Sequence, residues 1–385
     1  MTDVIIAGIG QTPVGEHWEI SLRSLAIKAM LAAMHDAGGL RPQALFLGNM
    51  LAPAISRQAH LGDLLADFSG LSGIEAVLVE ASGASGAAAL RQGYLAVASG
   101  AVETALVVGV EKVTDYVGPE VDAALATASD SDFEAVQGVT PAALAALLMR
   151  RYMYEFNVPA DGLAGFALTA HENAVSNPNA MFQKTISPEA YRQAEIVSEP
   201  LNMLDVAPNA DGAAAVLLTR GDLLPKGYAH PLVKIAGSAI ASDTLALHDR
   251  VDLLAFDAVR ISVEKALHKA GLRREQVSFF EYHDAFSIYA ALSLEAAGFA
   301  ARGQGWKMAH DGSISRTGSL PCATLGGLKA RGNPGSASGV YQAVEAATQL
   351  RGQARTAQVA NAKVGLIQSL GGPAATAVTH ILQAV

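Results

Sequence analysis

The chain has 385 residues, of which 51% are hydrophobic, and a formal net charge of −9 at pH 7. This length is too great for one simple core, so we expect two domains or a duplicated pair. The negative charge, without any run of Lys or Arg, argues against nucleic acid or an anionic membrane as a partner. The single Cys322 excludes an intrachain disulfide and a Cys-based zinc site, and the ten His residues lack ligand spacing, so no metal is expected.

The chain begins with Met-Thr-Asp-Val-Ile-Ile, which has no basic region before its apolar stretch and does not resemble a signal peptide. The apolar runs at 104–110 and 142–149 are well short of the roughly 18 residues that a membrane-spanning helix needs. We therefore expect a cytoplasmic protein with no membrane partner.

The first half alternates predicted strands and helices. In chain order these are strand 4–7, helix 20–37, strand 44–48, helix 56–68, strand 76–80, helix 84–99 and strand 104–110. Such alternation is typical of a layered α/β fold with helices on both faces of mixed sheets.

Between about residues 112 and 205 the alternation breaks into an acidic loop at 115–134, a helix at 140–154 and polar segments. We interpret this region as an insertion between strands of the first half. Insertions of this kind usually carry ligand specificity.

Two parts of the chain resemble each other. Residues 26–49 and residues 258–282 both predict an amphipathic helix closed by Gly, a polar turn and a buried strand. Further along, Ala84-Ser85-Gly86 opens a helix in the first half as Ala337-Ser338-Gly339 does in the second. The common order indicates a duplication, with an N-terminal half at 1–225 and a C-terminal half at 226–385.

The segment 79–90 runs from an apolar strand through a tight Ser/Gly turn into an Ala-rich helix. This arrangement presents one side chain at a helix N-terminus, where the helix dipole favours a thiolate. The presenting position is Gly83, which has no side chain. The neighbouring Ser82 can be considered as a replacement nucleophile, but a serine just before a helix is usually an N-cap.

Seven further motifs follow in a fixed order. They are Gly138-Val139-Thr140-Pro141 with Arg150-Arg151-Tyr152, His171-Glu172-Asn173-Ala174 with Asn177-Pro178, Leu204-Asp205, Asp211-Gly212-Ala213-Ala214-Ala215, Tyr282-His283-Asp284-Ala285-Phe286, Gly326-Gly327-Leu328-Lys329-Ala330-Arg331-Gly332, and Gly371-Gly372 before the last strand. Together with segment 79–90 they resemble the thiolase superfamily, most closely the branch of archaeal-type acetyl-CoA acetyltransferases and sterol carrier protein-x thiolases. The resemblance implies a duplicated, five-layered αβαβα fold with an inserted loop domain, a homodimer or tetramer, and coenzyme A thioesters as ligands.

The chain departs from this family at its reactive positions. A working thiolase that resembles it would carry the nucleophilic Cys at the position of Gly83, and Gly-His-Pro where this chain has Gly332-Asn333-Pro334. The second cysteine of the relatives falls at Ala285 or Ser369. The resemblance therefore implies a degenerate active site without a thiol.

Other candidate site residues remain. His283 ends a predicted strand, where a loop opens at the carboxyl edge of a sheet, and it coincides with the substrate-facing histidine of the family. A pKa near neutrality would suit it to proton transfer, while a loop-anchoring role is the alternative. Asn333 can donate an N–H to an oxyanion but cannot accept a proton. Gly371 resembles the glycine whose N–H joins that of the nucleophile residue in an oxyanion hole, although a turn is an equal alternative.

Three more residues complete the candidates. Ser82 and Phe286 are assigned to substrate binding, by their places beside Gly83 and after His283. Cys322 lies outside every cysteine position of the family, and a small, buried and inert Cys is the favoured interpretation.

The sequence leaves three functions open. Losing the nucleophile of a covalent mechanism costs about a million-fold in turnover, so thiolysis or Claisen chemistry through an acyl-enzyme is disfavoured. The first hypothesis is aldolase-like cleavage or formation of a carbon-carbon bond in a β-hydroxyacyl-CoA. The Gly83 N–H, together with Gly371 or Asn333, would stabilise the enolate, and His283 would move the proton. The alternatives are a non-catalytic subunit of an acyl-CoA-processing complex and a divergent acetyl-CoA acetyltransferase. The resemblance also allows a small zinc-ribbon and OB-fold protein as a partner.

Overall fold

The computed structural model describes residues 3–385. Met1 and Thr2, which begin the N-terminal segment that does not resemble a signal peptide, lie outside the described residues. The helices are α1 Leu22–Asp36, α2 Leu61–Phe68, α3 Ser85–Ser99, α4 Gly118–Ala126, α5 Pro141–Phe156, α6 Ala164–Ala174, α7 Pro188–Arg192, α8 Asp257–Ala270, α9 Ser287–Ala296, α10 Gly305–His310, α11 Gly327–Arg331 and α12 Ser338–Leu350. The strands are β1 Val4–Gln11, β2 Ala44–Gly48, β3 Glu75–Val79, β4 Thr104–Glu111, β5 Ile196–Ser198, β6 Leu201–Asn202, β7 Gly212–Arg220, β8 Val233–Ser242, β9 Phe279–Glu281, β10 Val364–Gly371 and β11 Thr376–Ala384.

The large sheet has the strand order β3-β2-β4-β7-β1-β8-β11-β10-β9. In the first half β2 runs parallel to β3 and β4, and β7 runs antiparallel to β4 and β1. In the second half β10 is parallel to β9 and antiparallel to β11. The halves meet at β1 and β8, where Ile5 pairs with Lys234. The sheet is therefore mixed, as the alternation of elements predicts, and it consists of one half-sheet from each half of the chain.

Helices α3 and α12 lie between the two half-sheets. Helix α3 packs on β2 and β4 of the first half and on β8 and β11 of the second, while α12 packs on β10 as well as on β7 and β1. The outer faces are covered by α1, on β1 and β7, and by α8, on β8 and β11. The layer order is thus helix, sheet, helix, sheet, helix, which confirms the expected five-layered αβαβα fold.

Two glycines allow the central helices to touch near their first turns. A Cβ atom on Gly86 would lie 2.6 Å from the Ser336 carbonyl oxygen, and one on Gly339 would lie 2.5 Å from the Ala87 backbone nitrogen. Carbon atoms of neighbouring groups normally stay about 3.5 Å or more apart. Only glycine therefore permits this approach, which brings the N-terminal ends of α3 and α12 to one place.

The region expected to be an acidic loop at 115–134 contains helix α4, so that expectation was wrong. Pro119 stands in the first turn, where its missing N–H costs nothing. Val121 and Ala124 are buried against Leu51 and Ile55 of the preceding loop. These two are the buried residues of α4, while Glu120 and Asp122 add to the acidic character from which a loop was predicted.

The helix predicted at 56–68 begins only at Leu61. Arg57 and His60 have positive φ values of 51° and 58°, which a right-handed helix does not accommodate. The other helices and strands predicted in the first half lie within a few residues of their expected bounds. Among residues 3–385, the helices are all too short or too polar to cross a membrane.

Candidate active site

A cavity of ≈ 160 Å³ opens where the N-terminal ends of α3 and α12 meet. Five of the six predicted site residues line it, namely Ser82, Gly83, His283, Phe286 and Asn333. The sixth, Gly371, lies between two lining residues, Leu370 and Gly372, and a Cβ atom there would lie 2.5 Å from the Ala81 carbonyl oxygen.

Ser82 forms the turn that leads into α3. Its φ of +53° is uncommon for a residue with a side chain, and such strained positions concentrate at functional sites. Its hydroxyl accepts a hydrogen bond from the Gly372 N–H at 3.2 Å and does not cap α3. The N-cap expectation was therefore wrong, because an N-cap has an extended conformation that a positive φ does not provide.

Ser85 holds this turn in place of Ser82. Its hydroxyl accepts from the Ala81 N–H at 2.9 Å and donates to the Ser82 carbonyl at 2.6 Å. The side chain is fully buried. Ser85, and not the predicted Ser82, therefore holds the turn that carries Gly83.

Gly83 leaves a gap that faces His283. A Cβ atom at this position would lie 3.6 Å from Cε1 and 3.8 Å from Nε2 of His283. Its close contact would be the Leu370 carbonyl oxygen, at 2.8 Å. A side chain at position 83 would therefore enter the cavity directly beside the imidazole, and glycine leaves that space to a ligand.

His283 follows β9 and is 6% exposed. Burial, with the positive charge of Arg331 as a second cause, lowers the pKa of His283 to about 3. The expectation of a near-neutral pKa was wrong, because the sequence does not reveal that the imidazole is buried, with Arg331 nearby. The imidazole is neutral at physiological pH, and its buried Nδ1 has no hydrogen-bond partner in the described part of the chain. A neutral imidazole can still polarise a carbonyl as a hydrogen-bond donor.

Asn333 is held with its amide oriented. The Ser338 hydroxyl donates to Oδ1 at 3.1 Å. The Asn333 backbone N–H donates to the Pro208 carbonyl at 3.0 Å, and its carbonyl accepts from the Ala210 N–H at 3.1 Å. With Oδ1 occupied, the Nδ2 hydrogens are the groups that Asn333 can offer to a ligand.

Two polar residues of the cavity, Glu111 and Ser336, were missed by sequence reasoning. Glu111 ends β4 and is fully buried, and the Ser336 hydroxyl donates to its Oε2 at 2.6 Å. Burial raises the pKa of Glu111 to about 7, against the opposing effect of its hydrogen bonds. The sequence carries a signal for Glu111, which is a carboxylate directly after the apolar run of a buried strand. Such a residue lies at the carboxyl edge of a sheet, where ligands bind.

The remaining walls are largely apolar. The insertion supplies Leu125 of α4 and Leu144 of α5, and the second half supplies Phe286 and Tyr289, whose rings meet edge to face at 5.0 Å. A cavity with apolar walls and a few convergent polar groups is typical of a small-molecule site.

Buried charges lie behind the cavity. Arg331, which is fully buried, donates to Glu345 at 2.7 Å, and Asp284 accepts from the Leu328 N–H at 2.7 Å. Cys322 is also fully buried, and burial raises its pKa well above the usual value, so the thiolate that reacts with electrophiles is disfavoured.

Comparisons with known proteins find similarity along nearly the whole chain. The sequence profile of the thiolase N-terminal domain matches residues 4–222, and that of the thiolase C-terminal domain matches residues 239–384. An acetyl-CoA acetyltransferase of Methanothermobacter thermautotrophicus is 42% identical over 383 residues, which cover 99% of both chains. The benzoylsuccinyl-CoA thiolase subunit BbsB of Thauera aromatica is 30% identical, over 92% of this chain and 91% of the relative. Among solved structures, the Ltp2-ChsH2(DUF35) aldolase is similar with a TM-score of 0.84 and 25% identity, over 99% of this chain and 98% of that one.

Proposed function

The chain belongs to the thiolase family, and from this premise we propose that it binds an acyl-CoA thioester and acts on it without forming an acyl-enzyme. The reaction that we propose is cleavage or formation of the Cα–Cβ bond of a β-hydroxyacyl-CoA. The observation that carries the proposal is the gap at Gly83. The position that faces His283 in the cavity has no side chain and hence no nucleophile.

Ser82 and Cys322 do not replace the missing thiolate. The Ser82 hydroxyl accepts from the Gly372 N–H and donates to the Met50 sulfur, and neither partner is a base that could activate it. Cys322 is buried with a raised pKa. Because the loss of a nucleophile costs about a million-fold in turnover, a mechanism that needs none is favoured.

The groups that remain suit an enolate. The Gly83 N–H lies at a helix start, where backbone N–H groups lack intrahelical partners, and Asn333 offers its amide hydrogens. Donors of this kind stabilise negative charge that develops on a thioester oxygen. Neutral His283 can donate a third hydrogen bond beside the gap. An aldol or retro-aldol reaction passes through this enolate and needs only a base for the β-hydroxyl.

The aldolase hypothesis also draws support from the similarity to the Ltp2-ChsH2(DUF35) aldolase. That name pairs an aldolase with a DUF35 component, and we propose by analogy a small zinc-ribbon and OB-fold partner for this chain. We further propose a homodimer or tetramer. Strand β3 lies at the edge of the sheet with Val77 and Leu78 exposed, and an unprotected edge strand is prone to pair with another chain.

Two alternatives have their own support. The 42% identity to an acetyl-CoA acetyltransferase favours a divergent acyltransferase. The name of BbsB, a thiolase subunit, favours a non-catalytic partner in a complex. Both predict no cleavage of β-hydroxyacyl-CoA by this chain.

The experiment incubates the protein, together with any partner that it retains on purification, with a panel of β-hydroxyacyl-CoA substrates. We expect release of an aldehyde or ketone and of the shortened acyl-CoA. After incubation with acetoacetyl-CoA, we expect no added acyl mass on the intact protein. An acyl adduct on Ser82 or Cys322 would support the acyltransferase, and complete absence of cleavage, alone or in complex, would support the non-catalytic subunit.

A further inference from the structure

Glu111 and Ser336 come from different halves of the chain and meet at the cavity wall. Glu111 ends β4, and Ser336 belongs to the turn Gly335–Ala337 that precedes α12. Both line the cavity that contains Gly83, His283 and Asn333. The Ser336 hydroxyl donates to Oε2 of Glu111 at 2.6 Å.

Four donors hold the Glu111 carboxylate. Oε1 accepts from Asn49 Nδ2 at 2.8 Å and from the Leu51 N–H at 3.3 Å, while Oε2 accepts from the Met50 N–H at 3.2 Å and from Ser336. Amide and backbone N–H groups only donate, whereas a hydroxyl donates and accepts at the same time. Ser336 is therefore the one of these four donors that can carry a proton between the carboxylate and a ligand.

The surroundings favour proton uptake by this carboxylate. Burial raises the pKa of Glu111 to about 7. The other titratable groups that share the cavity wall are Asp122 of α4, Tyr289 of α9 and neutral His283. Lys112, the next residue of the chain, directs its ammonium group to Asp115 and Asp211.

We propose that Ser336 and Glu111 together accept the proton of the substrate's β-hydroxyl group, with Ser336 in contact with the substrate and Glu111 as the final acceptor. This inference rests on the proposed carbon-carbon cleavage. It gives His283 the separate task of a hydrogen-bond donor, since an imidazole with so low a pKa is a poor base near neutral pH.

One proton leaves the β-hydroxyl group in this reaction and later returns to the product. The β-hydroxyl donates its proton to Ser336 Oγ while Ser336 passes its own proton to Glu111. The electrons of the broken O–H bond form the new carbonyl at Cβ, and those of the Cα–Cβ bond form the enolate of the thioester. After the aldehyde or ketone leaves, Glu111 returns the proton through Ser336 to Cα, which gives the acyl-CoA product and restores the pair.

The experiment measures kcat and KM against pH for wild type, Ser336→Ala and Glu111→Gln, on the substrate that wild type cleaves best. The wild-type kcat is expected to rise with pH through about 7, as the carboxylate loses its proton, and then to level off. Each variant is expected to lose about a hundred- to ten-thousand-fold in kcat. Their KM values change little, and the rise near pH 7 disappears.

Two measurements separate this loss from misfolding. Melting temperature and its shift by acyl-CoA report whether a variant folds and binds. Ser336→Thr, which keeps the hydroxyl, is expected to recover part of the rate. Ser293→Ala removes a buried hydroxyl of α9 outside the cavity and is expected to leave kcat and its pH profile unchanged.

The outcomes are distinguishable. If wild type cleaves the substrate and the two variants, folded and binding, keep its kcat and pH profile, the proton-accepting pair is refuted and the proposed function stands. If wild type cleaves no substrate, the proposed function fails, and the inference falls with it.

Discussion

At Gly83 an added methyl group would occupy the part of the cavity beside His283. We expect Gly83→Ala to reduce cleavage of the β-hydroxyacyl-CoA at least tenfold, because the added Cβ enters the space beside His283. Its 2.8 Å approach to the Leu370 carbonyl also predicts a loss of about 1–3 kcal/mol in the free energy of unfolding. Steady-state kinetics and urea denaturation measure the two effects.

Gly15→Ala is the matched control. Within the described residues, nothing lies within 4 Å of a Cβ at that position, and the residue is outside the cavity lining. Gly15→Ala should change neither the rate of cleavage nor the free energy of unfolding. Full activity in Gly83→Ala would mean that the ligand does not occupy the gap.

His380 in β11 predicts a pH effect on stability. Burial lowers its pKa to about 4, and its Nε2 lies 3.0 Å from the Ala87 carbonyl oxygen. Since the unfolded chain binds the proton more readily, His380 favours unfolding as pH falls below about 6.5. The effect amounts to about 2 kcal/mol between pH 7 and pH 5.

His380→Gln removes this titration. The free energy of unfolding, measured by urea denaturation at pH 7 and pH 5, should therefore decline less in the variant than in wild type. The variant must be compared with wild type, because other groups also change the free energy of unfolding between these pH values. Buried carboxyl groups with raised pKa values, such as Glu281, contribute with the opposite sign in both proteins. Parallel declines would contradict the assignment of a neutral, buried His380.

At the scale of elements, the approach of α3 and α12 depends on Gly339. We expect Gly339→Ala to lower the free energy of unfolding by about 1–3 kcal/mol or more, because backbone atoms of Ala87 obstruct the new Cβ at 2.5 Å. Gly339→Ala should also weaken acyl-CoA binding, because the N-terminal ends of α3 and α12 border the cavity. Denaturation and ligand-induced thermal shifts test both points, with Gly118→Ala in α4 as the control, where a Cβ meets nothing within 4 Å among residues 3–385.

Elements were predictable from sequence where burial determines their pattern. β4 is buried along its whole length, and its run of apolar residues was recognised as a strand. Helix α4 was missed because Val121 and Ala124 alone are buried. The start of α2 was misplaced because the left-handed conformation of His60 has no mark in the sequence.

The same limit applies to the candidate site. Gly83 and Asn333 were identifiable by their departure from a family motif. The joining of Glu111 to Ser336 was not, because 225 positions of sequence separate them and their contact depends on the docking of the two halves. The lowered pKa of His283 likewise depends on burial beside Arg331, which no local pattern encodes.

At the scale of the whole molecule, the exposed edge of β3 predicts self-association. We expect Val77→Lys, which places a charge on an edge residue that is 47% exposed, to shift the protein towards the monomer in size-exclusion chromatography with light scattering. Val117→Lys, at a residue that is 67% exposed in α4's N-terminal flank, should leave the mass unchanged. A wild type that is monomeric, or a Val77→Lys variant that keeps its mass, would exclude this edge as the interface.

The arrangement of the two halves also bears on the order of events during synthesis. Gly83 and Glu111 leave the ribosome long before His283, Ser336 and Asn333, and the cavity needs all five. An unfinished chain has the helix start but not the groups that face it across the cavity. The proposed thioester ligand therefore has no complete binding site on a nascent chain, and its binding requires that both halves be finished and docked.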